Sequence, residues 1–136
     1  MCYYVGRGGV MKALTVKEPW ASLIINGYKM YEFRSWNTKY RGKILIHAGM
    51  TLEKDMAERF NTYNLNYYKG EIIGEATLVD CILVDEKLNR KLRDINPLVY
   101  GRSNHVETYA WKLENICKYD QPIKVKGKLG LWNYEK

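Results

Sequence analysis

The sequence predicts a mainly β, α+β domain: a small barrel or closed sheet of about six short strands, with two or three helices packed at its side. Three observations predict it. The chain has 136 residues, one domain's length when roughly 100–200 residues is usual, and no Pro/Gly/Ser-rich linker, internal repeat or low-complexity tract divides it. Strand-like segments outnumber helical ones. The helices are also too few and too badly placed for a βαβ sheet. Residues 11–136 are read as this single domain. Residues 1–10 (MCYYVGRGGV) lack periodicity and read as a disordered leader, or as an upstream start ahead of Met11.

Each element has a local cause. Residues 12–16 (KALTV) form a short strand. Pro19 suits the first turn of a helix, where its missing N–H would have no partner anyway. Trp20, Leu23 and Ile24 then make one apolar stripe at i, i+3 and i+4, and Gly27 fits the left-handed position past the helix end. Residues 29–36 (KMYEFRSW) form a strand whose alternation places Met30, Glu32 and Arg34 on one face and Tyr31, Phe33 and Ser35 on the other. Residues 43–47 (KILIH) follow as a strand entered through Arg41-Gly42. The main helix is expected over residues 51–63, with Thr51 as N-cap, Glu53 and Asp55 at its positive end, and Leu52, Met56 and Phe60 recurring every four residues. Residues 64–69 read as a tyrosine-rich loop, and 71–84 as a long strand bent at Gly74. Residues 85–93 form a charged, weakly helical insertion, and Asn96-Pro97 marks a turn. Residues 108–114 (TYAWKLE) form a strand, and 123–125 and 129–132 a closing pair around Gly127.

Composition excludes several classes. The longest apolar stretch, around residues 21–25, is far short of the ~18 residues of a membrane-spanning helix. Cys2, Cys81 and Cys117 are odd in number and far apart, with no CxxC and no secretory leader. This pattern argues against a disulfide framework and points to a reducing cytoplasm. The two histidines, His47 and His105, sit near no cysteine, so no metal site and no cofactor is expected. Neither a phosphate loop nor GxGxxG is present, and the glycine-rich run at residues 6–9 follows no strand. Serines and histidines occur, but without a GxSxG elbow. His47 ends a strand and is expected to hydrogen-bond within the fold. His105 is expected on a surface loop, with the cleft as the other place it could reach, and Cys81 and Cys117 in the strand core.

The net charge is +7, which suits a polyanionic partner. Residues 11–50 carry seven basic and two acidic residues, residues 51–100 seven and nine, and residues 101–136 seven and four. If the two ends meet, the positive field lies on their shared face. Twelve tyrosines and four tryptophans add flat surfaces that stack on bases.

The densest feature is Gly27-Tyr28-Lys29-Met30-Tyr31-Glu32-Phe33-Arg34. Glu32 and Arg34 project from one strand face about 7 Å apart, and Lys29 sits at the junction. One reading is a salt bridge on a solvated sheet, contributing little. The other is a polar site in which the cations hold an anionic ligand and Glu32 accepts from N–H donors on a base edge, with Lys39, Arg41 and Lys43 close by.

At this point the chain resembles the ASCH domain family. The resemblance is carried by Pro19-Trp20-Ala21, the gapless GxKxxExR of Gly27, Lys29, Glu32 and Arg34, and Arg41-Gly42 with Ile46-His47-Ala48. Later matches are Tyr109-Ala110-Trp111 with Leu113-Glu114-Asn115, and Lys126-Gly127 with Leu129-Gly130-Leu131-Trp132. It spans nearly the whole chain. The resemblance implies a PUA-like β-barrel with a cleft between barrel and first helix, binding RNA or a modified nucleotide. Lys29, Glu32 and Arg34 would line that cleft, with Trp20, Trp36 and Trp111 as walls and Lys39 and Arg41 contacting the ligand. No membrane partner is implied. One family branch removes an acyl group from a modified cytidine using a lysine, a threonine and a glutamate. By resemblance the lysine falls on Lys29, whereas the threonine position holds Glu32 and the glutamate position holds Thr77. A swapped arrangement would use Glu32 as general acid or base with Thr77 approaching from a neighbouring strand. A small hydrolase of this kind, or a ribonuclease, is the alternative to a binding module.

Overall fold

The computed structural model describes residues 2–6, 9–101 and 103–135. Its elements are β1 (Met11–Glu18), α1 (Trp20–Ile25), β2 (Tyr31–Arg34), β3 (Gly42–Leu52), α2 (Lys54–Arg59) with a 3-10 turn at Asn61–Tyr63, β4 (Glu71–Leu83), α3 (Glu86–Ile95), α4 (Pro97–Tyr100), β5 (Tyr109–Lys124) and β6 (Leu131–Tyr134). The six strands form one mixed sheet in the order β2-β5-β4-β3-β1-β6. All neighbours are antiparallel except β1 and β3, which run parallel. The six-strand, mainly β class is as expected. The sheet, however, is open: its outer strands β2 and β6 are not paired to each other among the described residues.

The long strands bend rather than close. The β4–β5 ladder slips between Ile72 and Gly74, between Glu75 and Thr77, and between Leu78 and Asp80, and such bulges add twist. At the Gly74 bend a Cβ would strike the Cys117 carbonyl and come within 2.7 Å of Ile25 Cδ1. Only glycine lets β4 pass between β5 and α1.

The central strands are covered on both faces. Leu14, Ile44, Ile46, Leu78, Trp111 and Leu113 pack beneath Ala21, Ile24 and Ile25 of α1. On the other face Ala13, Leu45, Ile72, Tyr119, Trp132 and Tyr134 form a second core. That is why residues 44–49 of β3 are buried without alternation. A third cluster, Leu23, Phe60, Leu92, Val99 and Tyr100, joins α1 to the helices over the sheet.

Several element boundaries differ from the sequence expectations. Thr51 belongs to β3 and caps nothing; Glu53 precedes a helix of six residues, Lys54–Arg59. The insertion expected over 85–93 is a full helix, α3, capped by Asp85 accepting from the Leu88 amide at 2.8 Å and held by buried Leu92 and Asn89. The Asn96-Pro97 turn opens α4, with the Asn96 side chain accepting from the Val99 amide. The strand expected at 108–114 continues to Lys124 through Asn115 at φ +52°. Cysteine usage also departs from expectation: Cys2 is disulfide-bonded to Cys117, with Cα atoms 5.9 Å apart. Cys2 and Tyr4 pack against the second core, and Cys2 bridges Tyr119 in parallel. Arg7 and Gly8 of the glycine-rich run lie outside the described residues.

Candidate functional site

The site begins at the end of α1. Gly27 adopts φ +82°, and the amides of Tyr28 and Lys29 both donate to the Leu23 carbonyl, at 2.9 and 3.2 Å. This turn sends the Lys29 side chain inward. Lys29 is 3% exposed. Its ammonium donates to the Tyr31 carbonyl and to Glu32 Oε1 at 2.9 Å, and it sits 5.0 Å from the Phe33 ring centroid and 5.8 Å from that of Trp20. Glu32 Oε2 accepts from Arg34 Nε at 3.1 Å and Nη2 at 2.9 Å. Arg34 Nη2 also donates to the Thr15 carbonyl at 2.8 Å, tying β2 to β1. The three groups therefore converge as a buried triad with Glu32 at its centre, rather than forming a solvated bridge.

Electrostatics follow from burial and pairing. Desolvation lowers the Lys29 pKa despite the opposing pull of Glu32. Desolvation alone would raise the Glu32 pKa, but the charges of Lys29 and Arg34 outweigh it and hold the carboxyl below its ordinary range. Glu32 stays a carboxylate, and most of its accepting capacity is already taken.

The triad forms one wall of a cleft of about 750 Å³. Lys29, Glu32, Phe33, Arg34, Ser35 and Trp36 reach it from β2 and its flanks, and Trp20 from α1. The Trp20 Nε1–H donates to Glu53 at 3.0 Å, and Lys17 pairs with the same carboxylate at 3.8 Å. Sequence reasoning did not single out Lys17, Arg59 or Lys128, which also line the cleft, nor Met50 and Leu129, which stand 70% and 97% exposed at its mouth. They come from four separate segments, and no local spacing links them.

Other expected positions fall elsewhere. Trp111 is fully buried and lines nothing; it packs edge-on behind Trp36 at 4.7 Å. Thr77 sits in mid-sheet between Lys43 and Glu114 and is not among the cleft residues. Lys39 and Arg41 are also outside the cleft. Arg41 donates to the Thr38 and Tyr40 carbonyls and pairs with Asp80 at 3.7 Å. His47 hydrogen-bonds within the fold, as expected, to Thr15 Oγ1 and the Val125 carbonyl, although β3 runs past it to Leu52. His105, half-buried in the loop before β5, lines the cleft, the second of the two places open to it from sequence, and stacks on Phe33 with centroids 3.7 Å apart. Burial and the charges of Lys29 and Arg93 press its pKa down to about 4. Among the described residues, no group of three or more His, Cys, Asp or Glu is placed to hold a metal ion, and no helix is long and apolar enough to cross a membrane.

Comparison with known proteins extends this geometry. The family model of the ASCH domain matches residues 14–124. The human Activating signal cointegrator 1 is 36% identical over 146 aligned residues, covering 90% of this chain and 25% of that protein. Its mouse counterpart is 33% identical, covering 90% and 22%. The chain thus spans about a quarter of these curated relatives. A crystal structure of ASCH from Zymomonas mobilis superposes with a TM-score of 0.53 at 17% identity, over 84% of this chain and 73% of that one. A point variant of the same protein gives 0.51. On the family match over most of its length, this chain belongs to the ASCH domain family.

Proposed function

We propose that the chain binds RNA or a modified nucleotide in the cleft between α1 and the sheet, a base lying against Trp36 and Trp20 and phosphate oxygens meeting the cations at the mouth. One observation carries the reading: half-buried indoles share a nucleotide-sized cleft with an excess of positive charge. Among the described lining residues the cations Lys17, Lys29, Arg34 and Lys128 outnumber the carboxylates Glu32 and Glu53, and both carboxylates are already engaged. The volume suits a small ligand, and flat indoles suit a splayed base.

A hydrolase reading draws on Lys29, whose basicity burial reduces. Against it, the ammonium is held by the Tyr31 carbonyl and Glu32, and Thr77 is not beside it. Turnover of acylated cytidine or labelled RNA that disappears in Lys29→Ala would replace the binding reading.

The direct test is retention of single-stranded RNA and of nucleotides across a salt series. Affinity is expected to fall with salt at a logarithmic slope of about −0.7 per phosphate contact. Lys128→Glu is expected to flatten that slope by about one contact. Trp36→Ala is expected to weaken binding by about 1–3 kcal/mol with the slope unchanged. No retention of any RNA or nucleotide at low salt overturns the proposal.

A further inference from the structure

We propose that His105 reads the edge of the bound base, accepting a hydrogen bond through a ring nitrogen and so favouring amino-bearing bases over uracil. This rests on the cleft being the nucleotide site.

The ring is held in place from three directions. Its face stacks on Phe33 at an interplanar angle of 6°. Its amide donates to Oδ1 of Asn89 at 3.2 Å, and Asn89 is a buried side chain of α3. Its carbonyl accepts from the Thr108 amide at 3.1 Å and from Thr108 Oγ1 at 2.6 Å. Pinning a residue in this way removes the ordering cost of using its side chain for recognition. Yet the ring nitrogens have no hydrogen-bond partner among the described residues, although the ring lines the cleft. The backbone is fixed, the ring face is fixed, and the polar edge is left for something else.

The chemistry of the cleft says what that edge is for. Lysine and arginine can only donate. Of the lining carboxylates, Glu32 is engaged by Lys29 and Arg34, and Glu53 by Trp20 and Lys17. Thr15 Oγ1 already takes the Trp132 indole N–H at 3.0 Å. A cleft rich in donors needs a placed acceptor to recognise an N–H. A neutral imidazole offers one acceptor and one donor, whereas an imidazolium offers two donors. Burial with Lys29 and Arg93 nearby keeps the ring neutral at pH 7. Adenine, cytosine and guanine carry an exocyclic amino group, whereas uracil's one N–H on its base-pairing edge, at N3, lies between two carbonyl oxygens that repel an approaching acceptor nitrogen.

The test compares short oligo-adenylate, oligo-cytidylate and oligo-uridylate with the intact chain and with His105→Phe, which keeps the stack and removes both ring nitrogens. One neutral hydrogen bond is worth about fivefold in affinity. The intact chain is expected to bind the adenylate and cytidylate about fivefold more tightly than the uridylate, and His105→Phe to level the three while keeping the salt slope. A ring-nitrogen resonance of His105 in the intact chain is expected to shift on adding oligo-adenylate but not oligo-uridylate, a readout that needs no variant to fold. An intact chain that binds all three equally, or a variant that keeps the intact chain's ranking, overturns the role of His105 and leaves the cleft reading standing. An intact chain that binds none of them overturns the cleft reading itself.

Discussion

Removing the carboxylate of Glu32 is expected to cost far more than removing a surface charge. In Glu32→Gln the Lys29 ammonium, whose side chain is 4% exposed, keeps its burial and loses its counter-charge at 2.9 Å. Arg34 loses two hydrogen bonds at the same time. Breaking a buried ion pair from one side costs about 3–5 kcal/mol, because the stranded charge cannot regain water. For a chain of this length that corresponds to a Tm lowered by roughly 10–20 °C. Arg34→Gln should cost less, because the Arg34 side chain is 22% exposed and Lys29–Glu32 survives. Lys29→Met combined with Glu32→Leu should recover much of the loss, since well-packed apolar groups can replace a buried pair almost neutrally. Urea denaturation of the four proteins, reading midpoint and slope, measures this. A loss below about 1 kcal/mol in Glu32→Gln, the size of an exposed pair, would refute the buried-triad account, as would a double variant weaker than the single one.

Other consequences can be checked in the same way. His105 has a folded pKa of about 4 against an ordinary 6.5, so the unfolded chain takes up a proton first as pH falls. The stability present above pH 6.5 should decline between pH 6.5 and about 4, by about 1–2 kcal/mol once solvent access to the ring is allowed for. His105→Gln should flatten that stretch of the pH–stability curve. Glu32, whose pKa is lowered from 4.5, contributes stability in full above that value and loses it only as pH falls further. Gly74→Ala should destabilise by about 1–3 kcal/mol, because its methyl would meet the Cys117 carbonyl and Ile25; an unchanged melting curve would show that β5 yields there. Cys2→Ser removes a link spanning 115 residues of sequence and should cost up to about 5 kcal/mol by loop-closure entropy, seen as a lowered urea midpoint under non-reducing conditions only.

The sequence made local features legible and left assembled ones hidden. Lys29, Glu32 and Arg34 lie within six residues of one another, and strand alternation places Glu32 and Arg34 on one face, so their convergence follows from spacing. Gly27 marked the end of α1 because only a left-handed residue turns the chain there. Trp111 shows the limit: alternation says which residues share a face of β5 but not that this face lies under α1, where the indole is buried. The helix expected from Thr51 was shortened because pairing with β1 carries β3 on to Leu52, and a ladder of tertiary hydrogen bonds outweighs a cap signal. α3 was underestimated because its charges hid a narrow stripe, with Leu92 and Asn89 buried. Lys17, Arg59 and Lys128 line one cleft only through the tertiary fold, which no local pattern encodes. The link between Cys2 and Cys117 joins the N-terminal segment to β5, beyond the reach of cysteine spacing.

A two-dimensional NMR titration of the full chain with a short single-stranded oligoribonucleotide tests the central claim most directly. The account predicts that the indole N–H resonances of Trp20 and Trp36 move together with the amides of residues 128–130, all of which border the cleft. Shifts clustered instead at residues 39–43, or in the separate groove lined by Tyr28, Ile95 and Lys112, with Trp36 unmoved at saturation, would contradict it.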